Sequence, residues 1–212
     1  DLRKVRDLRY GENPHQRAAL YERSGSHPGF RLLQGKELSY TNLLDLDAAT
    51  RIVSEFNEPA AVVIKHTNPC GAATGSGAAD AYIRARDADS LAAFGGIVGL
   101  NRSLDMDTAQ AIVSTFIEAV SAPSIEDKAH AILQAKPNMR VVVPDAVPLP
   151  AAASVEELEM RSIVGGVLVQ TRDVVREAHA PWPSQGLNVV TRRQPTPQEW
   201  QAPRFAWRSC AR

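Results

Sequence analysis

Short apolar runs rich in β-branched residues alternate with helix-period segments, and that alternation leaves few folds open. Ala60-Ala-Val-Val-Ile-Lys65 has the length and composition of a strand buried on both faces. Gly95-Gly-Ile-Val-Gly-Leu100, Met139-Arg-Val-Val-Val143 and Gly165-Gly-Val-Leu-Val-Gln170 repeat the signal. Between them lie helical spacings. Ala49, Ile52, Val53 and Phe56 recur at i, i+3, i+4 and i+7, with Thr41 or Asn42 as the expected cap and Pro59 as the stop. Asp80–Arg86, Thr108–Val120 and Ile125–Ala135 follow in the same style, the second with Ala109, Ile112, Val113, Phe116, Ile117 and Val120 on one side. The order predicts an α/β layered fold on a mixed, mainly parallel sheet.

Composition narrows the class. The chain has 212 residues, 44% hydrophobic and 23% charged, an ordinary globular balance that excludes disorder, collagen and coiled coil. Lys plus Arg is 24 and Asp plus Glu is 24, for a net charge of +0, which argues against sequence-independent binding to nucleic acid while leaving a local basic site open. Two cysteines, Cys70 and Cys210, make no disulfide framework, so the expected compartment is the reducing cytoplasm. No apolar run is long enough to cross a bilayer, and the charged start Asp1-Leu-Arg-Lys-Val-Arg-Asp7 is no signal peptide. Without an initiating Met, the chain is expected to begin inside a longer protein or after processing.

Two segments concentrate polar chemistry. Lys65-His66 stands where a buried strand meets the turn His66-Thr-Asn-Pro-Cys-Gly71. In open α/β sheets ligands bind beyond the carboxyl ends of strands. There a Lys can stabilise charge, and a His, ordinarily titrating at about 6.5, can take a proton. The plainer reading, a solvated lysine and a turn-bonded histidine, carries more weight on spacing alone. Leu8-Arg-Tyr-Gly-Glu-Asn-Pro-His-Gln16 gathers an Arg suited to an anion and a Tyr suited to stacking around a turn, or is simply a polar loop.

Other patterns fail. Gly71-Ala-Ala-Thr-Gly-Ser-Gly77 misses the dinucleotide fingerprint and fits close backbone packing. Asn68-Pro-Cys-Gly71 is half of a zinc-deaminase signature, with Ala73 where the second Cys belongs, so no metal site and no zinc are expected. His15, His27, His130 and His179 show no ligand spacing, and Asn101-Arg-Ser103 is a chance glycosylation match. The tryptophans Trp182, Trp200 and Trp207 fall in a Pro-punctuated tail, where docking onto a core is the ordinary role.

Five segments taken in order are far more specific. They are Leu8–Gln16, Gly35-Lys-Glu-Leu-Ser-Tyr-Thr-Asn42, Val63-Ile-Lys-His-Thr-Asn-Pro-Cys-Gly71, Asp89-Ser-Leu-Ala-Ala-Phe-Gly-Gly96 and Phe116-Ile-Glu-Ala-Val-Ser-Ala-Pro123. With them the chain resembles, from Arg6 to Trp207, the N-terminal part of the AICAR formyltransferase domain of the bacterial bifunctional purine biosynthesis family. The resemblance implies a cytidine-deaminase-like three-layer α/β/α subdomain over residues 1–145, then a linking region and the start of a second half over 146–212. It implies formyl transfer from 10-formyltetrahydrofolate to the 5-amino group of AICAR, by a homodimer in the intact family protein. By resemblance His66 is the general base and Lys65 stabilises charge on the formyl oxygen or leaving nitrogen. Arg9, Tyr10, Asn42, Gly95 and Glu118 match AICAR-side positions, and Leu91 and Phe94 the folate side. The family's cyclohydrolase domain and most of the second transformylase half have no counterpart here. A non-catalytic assembly module is therefore the alternative reading.

Overall fold

In the computed structural model, residues 1–23, 29–145, 158–171, 173, 180–183 and 186–210 are described. They divide into two compact units, Asp1–Pro148 and Leu149–Arg212. The expected linker around Pro148 and Pro150, and the positions of His27 and His179, lie outside the described residues.

The first unit opens with an antiparallel hairpin of β1 (Leu2–Leu8) and β2 (Ala18–Arg23). There follow β3 (Phe30–Gln34), α1 (Tyr40–Ser54), β4 (Ala60–Lys65), β5 (Asn68–Thr74), α2 (Ala78–Ala88) and α3 (Ser90–Ala93). Then come β6 (Ile97–Leu100), α4 (Met106–Val113), β7 (Ala119–Ser121), α5 (Asp127–Leu133) and β8 (Arg140–Pro144). Strands β3 to β8 form one six-stranded sheet in the order β3-β8-β7-β6-β4-β5. The sheet is mixed, as expected. Its parallel share is smaller than expected, because only β6–β7 and β7–β8 are parallel among five pairings.

Period-two alternation buries apolar side chains on both faces of the sheet. Ala61, Val63, Val98, Val120 and Val141 turn toward α2, α4 and α5, where Tyr82, Leu104, Ile112 and Leu133 are buried with them. Ile97, Ala119 and Val142 turn the other way and join Leu46 of α1. The result is three layers, α/β/α. Two glycines set how closely the layers approach. A Cβ on Gly99 would lie 2.9 Å from the Ala49 Cβ of α1, and one on Gly71 would lie 2.0 Å from the Ala85 carbonyl oxygen of α2. The close packing expected of the Gly71–Gly77 stretch is thus realised at Gly71.

Several boundaries differ from expectation. The cap of α1 is Ser39, not Thr41 or Asn42. Its Oγ accepts from the Asn42 N–H, and Asn42 Oδ1 accepts from the Ser39 N–H, a reciprocal box that satisfies two orphan donors. The helix ends at Ser54, short of Pro59. The helix expected over Thr108–Val120 stops at Val113. Ser114 Oγ and Thr115 Oγ1 donate back to the Ala111 and Ile112 carbonyls at 2.7 and 3.3 Å, which occupies the helix end, and Val120 belongs to β7. Most of the expected turn after His66 is strand β5. Asn101 holds the entry to β4, accepting from the Ala60 N–H and donating to the Phe56 and Glu58 carbonyls.

The second unit holds an antiparallel hairpin, β9 (Leu158–Ile163) and β10 (Gly166–Thr171), and one helix, α6 (Pro197–Cys210). Cross-strand pairing places Leu158, Met160, Val167 and Val169 on one face, all exposed. Pro203 lies inside α6 rather than ending it. Trp182 and Trp200 meet edge to face at 6.3 Å between ring centres.

Candidate active site

One end of the six-stranded sheet collects most of the expected residues. Antiparallel pairing of Ile64 with Ile97 and parallel pairing of Ala119 with both Ile97 and Arg140 bring together the carboxyl end of β4 and the amino ends of β6, β7 and β8. The site therefore does not follow the all-parallel rule of carboxyl ends only. The amino end of α1 reaches the same rim through Asn42 and Asp45.

Lys65 closes β4, and its Nζ donates to the Phe94 carbonyl at 3.0 Å. His66 and Thr67 form the two-residue connection to β5, with Lys65 paired to Asn68 across it. Both central residues have positive φ, 53° and 62°, as a type I′ hairpin turn requires. Asn and Gly reach this region easily. A β-branched Thr does not, and such a conformation costs about 1–3 kcal/mol. The turn is tied at both ends. Asp45 Oδ1 accepts from the Thr67 N–H at 2.6 Å, while Thr67 Oγ1 and Asn68 Nδ2 donate to the His66 carbonyl at 2.7 and 2.9 Å. The His66 side chain is exposed.

Glu118, just before β7, is fixed from two sides. Asn42 Nδ2 and Arg140 Nη1 both donate to its Oε1, at 3.3 and 3.0 Å. Asn42 is only 4% exposed, so its amide cannot turn to water, and Arg140 is held in turn by donating from Nε to the Glu37 carbonyl at 3.0 Å. Among the described residues no hydrogen bond reaches Oε2 of Glu118. A cleft of about 470 Å³ adjoins it, lined also by Phe116, Lys36, Lys136 and Arg140.

Gly95 has φ +74°, and its N–H donates to the Phe116 carbonyl at 2.8 Å. Beside it the rings of Phe94 and Phe116 meet at 5.2 Å, tilted by 43°. Phe94 is 62%, Phe116 53% and Leu91 88% exposed, so an apolar shelf faces solvent at this rim. Arg9 and Tyr10 form a separate pair on the β1–β2 connection, the guanidinium 5.6 Å from the ring centre. Among the described residues neither hydrogen-bonds to Lys65, His66, Asn42 or Glu118. A larger cavity of about 570 Å³ lies between that hairpin and α1, lined by Val5, Leu20, Phe30 and Leu43 among others, and it contains none of the expected site residues.

Sequence reasoning missed Asp45, Arg140 and Phe116. Arg140 directly precedes the apolar run of β8, a strand-entry position that could have marked it, whereas Phe116 was hidden in an over-long helix. Cys70 is partly buried, with its Sγ 3.6 Å from the Ala92 carbonyl oxygen, and burial pushes its thiol up. Among the described residues no three of His, Cys, Asp and Glu gather as a metal-binding group, and no helix is long and apolar enough to cross a membrane.

Comparison with known proteins places the chain in a family. The family model of the AICARFT/IMPCHase bienzyme matches residues 1–212. The chain belongs to this family. It is similar to the bifunctional purine biosynthesis protein PurH of Cyanothece sp. (strain PCC 7425 / ATCC 29141), 50% identical over 97% of this chain and 39% of the relative. It is 48% identical to PurH of Myxococcus xanthus (strain DK1622) over 99% of this chain and 41% of the relative. Against PurH of Paracoccus denitrificans (strain Pd 1222) it is 50% identical, covering 96% and 38%. The chain therefore spans about two fifths of the length of the bienzyme relatives it matches.

Proposed function

We propose that this part of the bienzyme carries the centre that transfers a formyl group from 10-formyltetrahydrofolate to the 5-amino group of AICAR in purine (IMP) biosynthesis. One observation carries the reading: an exposed histidine and a lysine share a rim with a half-engaged carboxylate and an apolar shelf. The folate co-substrate supplies the formyl carbon. The exposed Leu91, Phe94 and Phe116 fit its flat ring portion, and Glu118 Oε2 fits a sugar hydroxyl or an amide of AICAR. Gly95, whose N–H is taken by the Phe116 carbonyl, offers its own carbonyl to the same ligand, and Arg9 and Tyr10 suit its anionic and planar parts.

The amine of AICAR is a weak nucleophile because it is conjugated through the imidazole to a carboxamide. His66 takes its proton as the new C–N bond forms. Lys65, parked on the Phe94 carbonyl, stabilises the negative charge that develops on the formyl oxygen. When the bond from carbon to the folate nitrogen breaks, His66 or solvent returns the proton to that nitrogen. The resemblance further supports a homodimer in the intact protein and a cytoplasmic location.

The test is formyl transfer followed by absorbance, with this chain alone and with the rest of the bienzyme co-expressed. His66→Ala is expected to lower turnover by about 10²–10⁴-fold while AICAR binding survives; full turnover removes the base assignment. Lys65→Ala is expected to cost about 3 kcal/mol in the rate, and a change in affinity alone overturns the electrostatic role. The exposed face of Leu158, Met160, Val167 and Val169 favours a second reading, self-association without turnover. A monomer by size-exclusion chromatography removes it.

A further inference from the structure

The polar groups around His66 do not all face a ligand. Asp45 sits one turn into α1, and its carboxylate points at the backbone of the β4–β5 connection, not at the rim residues Lys65 or Glu118. Its bond to the Thr67 N–H, at 2.6 Å, is a charge-assisted contact to a residue held at positive φ. Thr67 is the poorest residue in the turn for that conformation, so the turn needs a hold from outside itself. Thr67 Oγ1 and Asn68 Nδ2 also donate to the His66 carbonyl, contacts that stay within the hairpin. Asp45 links the turn to a different element, and that element is anchored at its own start by the Ser39–Asn42 box. The same helix presents Asn42 to Glu118. One rigid helix end thus holds both the His66 turn and the carboxylate across the rim.

We propose that Asp45 is a positioning residue for the Lys65–His66 centre: by clamping the Thr67 N–H it holds the left-handed turn that presents His66, and registers that turn against Glu118 through α1. The inference rests on the transformylase reading given above. It assigns Asp45 no contact with substrate and no proton transfer. What the carboxylate supplies is an acceptor oxygen at a fixed place, which an amide oxygen can also supply.

That difference makes the test. In this chain co-expressed with the rest of the bienzyme, Asp45→Ala is expected to lower kcat by about 10–100-fold, the scale of a misplaced catalytic group, with KM for AICAR changed less than about threefold. Asp45→Asn keeps an acceptor oxygen and is expected to retain kcat within about threefold. Adding Thr67→Gly to Asp45→Ala is expected to recover much of the loss, since glycine adopts positive φ without the clamp. Amide hydrogen exchange of Thr67 is read in parallel: protected in the unsubstituted chain and in Asp45→Asn, unprotected in Asp45→Ala. Thermal midpoints taken with each variant separate a lost clamp from a lost fold. If Asp45→Ala does not fold, the pair Asp45→Asn and Asp45→Ser decides, with Asn active and Ser impaired. Loss of Thr67 protection with unchanged kcat overturns the positioning role, and so does protection that survives Asp45→Ala. No formyl transfer by the unsubstituted chain co-expressed with the rest of the bienzyme instead overturns the transformylase reading, while the exchange data still report on the clamp.

Discussion

The Glu199 carboxylate accepts from Arg193 Nη1 and Nη2 at 2.7 and 2.9 Å and from the Thr196 N–H at 2.8 Å, while Thr196 Oγ1 accepts from the Glu199 N–H. These contacts, the guanidinium first, hold its carboxyl at about 2, far below the usual carboxylate range. The sign follows from linkage. The unfolded chain takes up this proton near the ordinary carboxylate value, about 4.3, before the folded one does. The start of α6 therefore keeps its full support above that value and loses it as the pH falls toward 2. A carboxyl-detected NMR titration is expected to place Glu199 near 2, and Arg193→Ala is expected to move it upward; an ordinary midpoint in the unsubstituted chain refutes the capping geometry. At this scale sequence reading reached what side-chain type alone announces, such as Lys65 and His66 at a strand end. It did not reach Asp45 or Arg140, whose importance comes from what they bond to across long sequence separations.

Elements were legible where burial was complete. β4, with Val62, Val63 and Ile64 fully enclosed, is the expected strand to the residue. Its edge partner β5 was not. Asn68-Pro-Cys-Gly-Ala-Ala-Thr74 has no β-branched run, and Pro69 is tolerated because the strand lies at the sheet edge. A register shift after Val63 against this strand further blurs any alternation. β1 was equally silent, since its mostly exposed residues carry no apolar period. What β5 has in place of side chains is proximity to α2. Gly71→Ala would set a methyl 2.0 Å from the Ala85 carbonyl oxygen, which is backbone and cannot swing away. The strand must lift from the helix, and a loss of about 1–3 kcal/mol is expected in urea unfolding. Gly77→Ser, at the N-cap of α2 with nothing within 4 Å of a new Cβ, is the matched comparison and is expected to be neutral or slightly stabilising. Equal losses in both would show that glycine flexibility, not space, matters at position 71.

At the scale of the molecule, two apolar clusters of the first unit lie, among the described residues, between residues 30 and 142. The sheet is covered on one face by α1 and on the other by α2, α4 and α5, and Asn42, Lys65 and Arg140 of the rim lie on the sheet or on α1. The second unit has a different character: both strands of its hairpin are exposed along their whole length, and among its described residues only Ser209 is buried. The sequence signalled a change of composition after Val143, but composition could not say which side holds the buried apolar clusters; that follows from which residues alternate into them. A chain ending at Pro148 is therefore expected to unfold cooperatively in heat and urea and to keep slow amide exchange at Val62, Val63 and Val98. It is also expected to keep Thr67 protected, because both partners of that bond, Asp45 and the β4–β5 turn, lie within it. A broad, non-cooperative melt of the 1–148 chain, with these amides exchanging freely, would show that the first unit needs the second to hold its layers together.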